Sequence, residues 1–445
     1  ASGRVRSPAG ARLARQLTDV GLVHPSWPAA ALGDVTVVIP IRDRPDELDR
    51  CLTALDAELP VIVVDDASAD PHAVAAVCAS HGARLVVRAA NGGPAAARNT
   101  GLAHVETDFV LFLDSDTVPA GDVVAQLGGH FGDPLVAAVA PRITTLPGPS
   151  APVRYGMAAS SLDLGRRQAR VAPGGGISYV PTAALLVRRA ALDDVGGFEV
   201  SLRFGEDVDL VWRLDAAGWR VRYEPSVTVQ HAEPTRWWPL LQRRYRYGTA
   251  AGPLARRHRG NLAPLVLHCW SGVAVLGLLA RRPSIALAGL VASTVALQRT
   301  LGEVGVESTG AATEAMNAAG QTWRQVGRTA AQFGLPLVVA AAVPGGRRAR
   351  GRRLALAGLL LAAPVADWRA GPRTLGPVRF AVARVIDDAA YGSGVVAGSV
   401  RARTAEPLTP RLVRRLLRIA PPALHAVPSE RGPVPAASIE RSTNA

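Results

Sequence analysis

Between residues 35 and 113 the apolar positions fall in four short unbroken runs. These are Val35-Thr36-Val37-Val38-Ile39, Val61-Ile62-Val63-Val64, Arg84-Leu85-Val86-Val87 and Phe109-Val110-Leu111-Phe112-Leu113. Segments 47–55, 72–80 and 94–104 between them carry helical spacing. Continuous apolar strands alternating with helices predict a mostly parallel sheet covered on both faces. Ligands of such sheets sit beyond the carboxyl ends of the strands, where both acidic clusters of this region fall. Further strands are expected at 137–141, 183–187, 220–224 and 227–231, with a helix over 208–217. Before this region, residues 9–17 have a helical pattern, and Pro25, Pro28 and Gly33 mark a linker.

Beyond residue 236 the texture becomes helical, basic and then strongly apolar. Uncharged runs cover 261–280, 283–298 and 329–346, with 354–366 shorter. Only the first approaches the roughly 20 residues that span a bilayer. Four parts are therefore expected: 1–33, a short helix and linker; 34–235, an α/β domain; 236–420, a helical, Arg-rich, membrane-associated region; and 421–445, a disordered tail.

Composition adds constraints. The 445-residue chain has a formal net charge of +14, carried by Arg without a single Lys. The basic blocks at 243–259 and 347–353 lack the aromatic interleaving or zinc-finger spacing of nucleic-acid binders, and they flank the apolar runs. Anionic lipid suits them better than nucleic acid. Cys51, Cys78 and Cys269 are too few and too scattered for a disulfide framework or a zinc site. Arg4, Arg6, Arg12 and Arg15 interrupt the opening residues, so no signal peptide is read there.

The candidate chemistry sits at strand ends. Asp114-Ser115-Asp116 follows the fourth run, and carboxylates two apart at such a turn can share a divalent cation with phosphate oxygens. Alone the triplet is weak, because similar ones occur in many surface turns. Asp65-Asp66-Ala67-Ser68 follows the second run and can accept from a base or ribose. Asn91-Gly92-Gly93-Pro94 opens a helix with Arg98 one turn in, which suits a diphosphate. Glu206 and Asp207 open a later helix, where acids serve either as dipole partners or as a proton acceptor. His231 ends a strand and can complete a metal shell. Pro173-Gly174-Gly175-Gly176-Ile177-Ser178-Tyr179 reads as a mobile loop.

Taken with Val37-Val38-Ile39-Pro40, Ala97-Arg98-Asn99-Thr100-Gly101, Gly196-Gly197-Phe198 and Asp209-Leu210 with Arg213-Leu214, these clusters make residues 35–232 resemble an inverting family 2 glycosyltransferase of the α/β GT-A fold. The resemblance implies a UDP-sugar donor, a divalent metal (Mg2+ or Mn2+) and no organic prosthetic group. It implies that Asp207, with Glu206 beside it, is the catalytic base. Pro40, Asp65, Asp66, Gly93, Arg98, Asn99, Asp114 and Ser115 would meet the nucleotide-sugar, and Asp114, Asp116 and His231 the metal. The Gln/Arg-x-x-Arg-Trp motif of processive synthases is not clearly present; Gln242-Arg243-Arg244-Tyr245-Arg246-Tyr247 is the nearest stretch.

Nearly the whole chain, through Ser7-Pro8-Ala9-Gly10-Ala11-Arg12-Leu13, Gly21-Leu22-Val23-His24-Pro25 and the Arg-rich C-terminal third, is similar to the mycofactocin-system glycosyltransferases. That similarity implies glucose transfer from UDP-glucose to a small peptide-derived redox cofactor, with several sugars in succession, at the cytoplasmic face of a bacterial membrane. It also implies that 1–33 is the remainder of a small N-terminal helical domain and linker, and that 34–235 is the GT-A catalytic domain. Competing expectations are a family 2 enzyme acting on a lipid-linked or cell-wall acceptor, and a non-catalytic membrane recruitment protein. The latter predicts lost acidic residues, whereas Asp66, Asp114, Asp116 and Asp207 are all retained.

Overall fold

The computed structural model describes residues 7–19, 21, 23–303, 309–342, 347–413 and 438–440. The chain divides into two compact units: one holds 1–148, 160–233 and 421–445, the other 149–159 and 234–420.

In the first unit, the parallel strands β1 (Val35–Ile41), β2 (Val61–Asp65), β3 (Arg84–Val87) and β4 (Phe109–Leu113) alternate with helices α1 (Pro45–Thr53), α2 (Pro71–Ser80) and α3 (Pro94–Leu102). Next come β5 (Thr117–Pro119), β6 (Val136–Thr145), β7 (Ala169–Val171), β8 (Ala184–Arg188), helix α4 (Glu206–Ala216) and β9 (Arg220–His231). Among the described residues they form one nine-stranded sheet of order β3-β2-β1-β4-β8-β6-β9-β5, with β7 paired to β9. Strand β8 runs antiparallel to both β4 and β6, and β9 runs parallel to β6. Two reversals cancel, so β1, β2, β4, β6 and β9 all point their carboxyl ends to the same edge. That edge collects Asp65-Asp66, Asp114–Asp116 and His231.

The unbroken apolar runs are explained by burial on both faces. Val37, Ile39, Val63 and Leu111 belong to the main core, while Val38 and Val64 support α3 on the opposite face. A methyl built on Gly101 would lie 2.4 Å from Val38 Cγ1, so glycine is what lets α3 lie this close to the sheet. Residues 220–224 and 227–231, expected as two strands, form one. Its register against β6 shifts between Glu224 and Thr228, a stretch that includes Pro225, which has no N–H to give the ladder. The stretch expected to be a linker lies on the sheet-forming unit: Trp27 and the Pro28 and Ala30 carbonyls pack against Gly128, Gly129 and Gly132. The tail expected to be disordered lies outside the described residues, apart from Ser438–Glu440, which pairs antiparallel with His24–Ser26.

The second unit is helical. Its long helices are Trp237–Thr249, Pro283–Glu303, Ala311–Phe333, Arg347–Ala370 and Pro377–Ala402, and a small core forms around Tyr155, Leu240, Leu375, Phe380 and Ala383. The apolar run at 261–280 does not make one long helix. Val266–His268 is a strand paired with Arg411–Val413, and only Cys269–Leu279 is helical. The run at 283–298 makes a longer element than its uncharged length suggests, because a lone Arg299 does not end a helix. Residues Pro283–Gly302, with a mean hydropathy of 1.4, are long and apolar enough to cross a membrane.

Candidate active site

The turn after β4 is built from main-chain bonds. The Asp114 N–H donates to the Ala183 carbonyl at 3.0 Å, and the Asp114 carbonyl accepts from the Thr117 N–H at 3.1 Å and the Thr117 hydroxyl at 2.7 Å. Thr117 then starts β5, whose register places it opposite His231. The Ala232 N–H donates to the Asp116 carbonyl at 2.9 Å, closing the pairing. Strand register thereby brings His231 Nε2 to 3.3 Å from Asp116 Oδ1. Asp116 Oδ2 meets Arg44 Nη1 at 3.5 Å. Ser115 is partly exposed at the head of the turn.

An acid oxygen and an imidazole already side by side can serve as two ligands of a divalent cation. Among the described residues no group of three or more His, Cys, Asp or Glu stands assembled as a metal cage. The donor set thus fits a metal whose shell is completed by diphosphate and water, the usual arrangement for Mg2+ with phosphates.

Behind the turn, Arg98 is 2% exposed. It donates through Nη2 to Asp114 Oδ1 at 2.6 Å and through Nη1 to Glu206 Oε1 at 2.9 Å, and it lies 5.5 Å from the Phe198 ring centre. Burial works against the Arg98 cation, but Asp114 and Glu206 outweigh it and hold its pKa above the ordinary value. The Asp114 carboxyl is pushed up by burial, restrained by Arg98 and raised again by Asp116. Asp207 follows Glu206 on the first turn of α4. Burial, then the neighbouring Glu206 charge, pushes its pKa up to about 7, although it accepts a 2.8 Å bond from the Val208 N–H. A carboxyl tuned to that value can take a proton at neutral pH.

Other candidates hold the frame. Asp66 accepts from the Gly92 N–H at 2.9 Å and the Gly93 N–H at 2.7 Å, and pairs with Arg88. Gly93 has φ 87, a conformation that favours glycine, and from it α3 starts. Asp65 is fully buried; Oδ1 accepts from the Ser68 N–H and hydroxyl at 2.9 and 2.6 Å, while Oδ2 has no hydrogen-bond partner. Asn99 donates to the Phe198 carbonyl at 2.8 Å and accepts from the Phe198 N–H at 2.9 Å, latching the segment that carries the ring over Arg98. Pro40 lies partly exposed near the end of β1, opposite Val64. The structure thus joins Arg98, Asp114 and Glu206, joins Asp116 and His231, and joins Asp66 and Gly93. Among the described residues, Pro40 and Asp65 make no side-chain hydrogen bond to any of these groups.

In the sequence Asp209 and Arg213 stand only as members of a motif, with no role of their own. Asp209 Oδ2 accepts from Arg213 Nε at 2.7 Å, and the same guanidinium donates to the Val195 and Gly197 carbonyls at 2.6 and 2.7 Å. Their spacing of four on a helix was the available signal. In the glycine-rich loop, the Ala172 N–H donates to the Ile177 carbonyl at 3.2 Å, and the Trp212 indole, on α4, donates to the Ser178 carbonyl at 2.8 Å.

Residues 36–196 match the sequence family described as glycosyl transferase family 2. The pre-mycofactocin glycosyltransferase of Mycobacterium tuberculosis is 40% identical over 425 residues, covering 92% of this chain and 89% of that protein. The poly-beta-1,6-N-acetyl-D-glucosamine synthase of Staphylococcus aureus is 26% identical over 210 residues, 45% of this chain and 50% of that one. Among solved structures, the mannosyltransferase PcManGT from Pyrobaculum calidifontis, in complex with GDP-Man and Mn2+, matches with a TM-score of 0.49 at 19% identity, covering 88% of this chain and 92% of that one.

Proposed function

This chain belongs to glycosyltransferase family 2, close to the mycofactocin-system enzymes, and on that premise we propose that it transfers glucose from UDP-glucose to a hydroxyl of premycofactocin, with inversion and with several sugars in succession. The observation that carries the catalytic reading is the Asp207 carboxyl, tuned to about 7 beside a Glu206–Arg98–Asp114 bridge. The acceptor oxygen attacks the anomeric carbon as the bond to UDP breaks, and its proton passes to Asp207. Arg98 presents a fixed positive charge at the Asp114 turn, where the diphosphate departs. Asp114, Asp116 and His231 would hold a divalent ion, which would supply further neutralisation of that diphosphate. Asp65, Asp66, Gly93 and Pro40 line the nucleotide side of the edge in this reading.

The acceptor assignment follows the 40% identical relative, a pre-mycofactocin glycosyltransferase. Incubating the protein with separate UDP-sugars and premycofactocin tests it by mass spectrometry. Hexose addition from UDP-glucose alone is expected; addition to none of the acceptor pool from any donor overturns it.

We also propose that the helical unit rests on the cytoplasmic face of the cell membrane. Residues 261–302 contain no Asp or Glu. Leu276, Leu278, Ile285, Leu287 and Val291 are exposed on Cys269–Leu279 and Pro283–Glu303, and only 17% of the most apolar window of the second helix is buried. Arg281 and Arg282 join the two helices. A hairpin spanning the bilayer would carry that pair to the far side, against the positive-inside bias, so the helices lie in the plane of the interface.

A further inference from the structure

Arg44 follows β1 and immediately precedes Pro45, the first residue of α1. Its backbone is left-handed, φ 59 and ψ 52, and Asp43 before it is left-handed as well, φ 62. Such angles are uncommon for residues other than glycine, and a residue before proline is ordinarily driven to extended backbone. The turn is bolted in place from the loop that follows the neighbouring strand β2. The Asp43 N–H donates to Ser68 Oγ at 2.7 Å, and the Ala69 N–H donates to Asp43 Oδ1 at 2.8 Å. The Ser68 hydroxyl in turn donates to Asp65. Backbone held so far from its ordinary range at a sheet edge signals a side chain that must be aimed.

The aim is at Asp116. Arg44 Nη1 lies 3.5 Å from Asp116 Oδ2 and 3.1 Å from Glu47 Oε2, while His231 occupies the side of the other Asp116 oxygen. The two arginines of the site differ in freedom. The Arg98 side chain is 3% exposed and bonded to two carboxylates, whereas that of Arg44 is 63% exposed. An exposed ion pair is released at little cost.

We infer that Arg44 is the resident counter-ion of Asp116: it pairs with that carboxylate, yields it when the cation binds, and turns its guanidinium to the donor diphosphate. The inference rests on the reading of Asp116 as a metal–diphosphate residue. A planar guanidinium suits both partners, since it makes paired bonds to carboxylate and to phosphate alike. Glu47 tunes the exchange by competing for Arg44 from the first turn of α1. The plain alternative is an ordinary helix-start ion pair with Glu47, and it predicts no effect on either ligand.

The test measures Mn2+ binding without nucleotide, by electron paramagnetic resonance, and UDP binding at saturating Mn2+, by calorimetry, on the full chain. Arg44→Gln is expected to bind Mn2+ alone about two- to fivefold more tightly, the range an exposed ion pair supports. The same variant is expected to bind UDP about tenfold more weakly, as for a lost charge-assisted hydrogen bond. Glu47→Ala should weaken Mn2+ binding, because Arg44 then has only Asp116 to hold. Arg44→Lys should keep much of the competition with Mn2+ but not the UDP affinity. If Arg44→Gln does not fold, Arg44→Lys and Glu47→Ala carry the same two measurements. Unchanged binding of both ligands, or changes of the same sign in both, overturns the inference. Loss of Mn2+ binding in Asp116→Ala with no effect of Arg44→Gln overturns it alone; parent-like Mn2+ binding in Asp116→Ala overturns the metal reading with it.

Discussion

Replacing Asp207 by Asn separates its chemical role from its thermodynamic one. The carboxyl is raised from 3.8 to about 7, chiefly by burial and then by Glu206. A raised acid favours the fold while protonated and opposes it once ionised. Roughly three units at about 1.4 kcal/mol each give a ceiling near 4 kcal/mol, and allowing for partial solvent access leaves about 2 kcal/mol. Asn is neutral at every pH and nearly isosteric. Its advantage should be absent below 3.8, grow as the pH rises toward 7 and level off above that. For a unit of this size about 2 kcal/mol corresponds to a Tm increase of roughly 4–8 °C. Differential scanning fluorimetry of parent and Asp207→Asn from pH 4 to 9 reads the curve directly. Transfer should fall by about 10²–10⁴, the usual worth of a general base, while UDP affinity stays within about twofold. The parent's kcat should show an acidic limb near pH 7, lost in the variant's residual rate. A Tm difference that is flat with pH, or a variant that is no more stable at pH 8, refutes the argument. Near-parent turnover refutes the base assignment.

Two other expectations follow from the packing and the surface. Gly101→Ala gains up to about 1 kcal/mol of helix propensity but drives a methyl against Val38 and Val64; overpacking of about 1–3 kcal/mol should win, and an unchanged or higher Tm contradicts the close seating of α3. The full chain should float with vesicles of three parts phosphatidylcholine to one part phosphatidylglycerol, and Leu287→Asp with Val291→Asp should abolish flotation; a parent that stays with the soluble fraction overturns the membrane proposal.

The strand-end acids were visible in the sequence because strands buried on both faces leave their carboxyl ends as the natural place for polar residues. The runs ending at Asp65 and Asp114 therefore disclosed both the sheet and its working edge. The pairings within that edge were not visible. Arg98 reaches Glu206 across 108 positions, and Asp66 serves the Gly92-Gly93 turn, because tertiary geometry and not local spacing sets these bonds. Asn99 shows the same limit: an amide in a helix gives no hint that it will bracket Phe198. In the helical unit, composition misjudged 261–280. A charge-free run reads as one helix, and only the pairing of Val266–His268 with Arg411–Val413 reveals that its first part is extended.

The Glu206–Arg98–Asp114 bridge has a consequence for exchanging parts between relatives. Arg98 and Asp114 come from the segment before residue 148, Glu206 and Asp207 from the segment after 160. A hybrid enzyme whose front half comes from one parent and whose rear half comes from another inherits a donor side and an acceptor side shaped by different histories. It keeps a working proton acceptor only where the bridging arginine and its glutamate still meet. The seam between such halves is therefore chemical before it is structural, and recombination that ignores it yields well-folded but silent proteins.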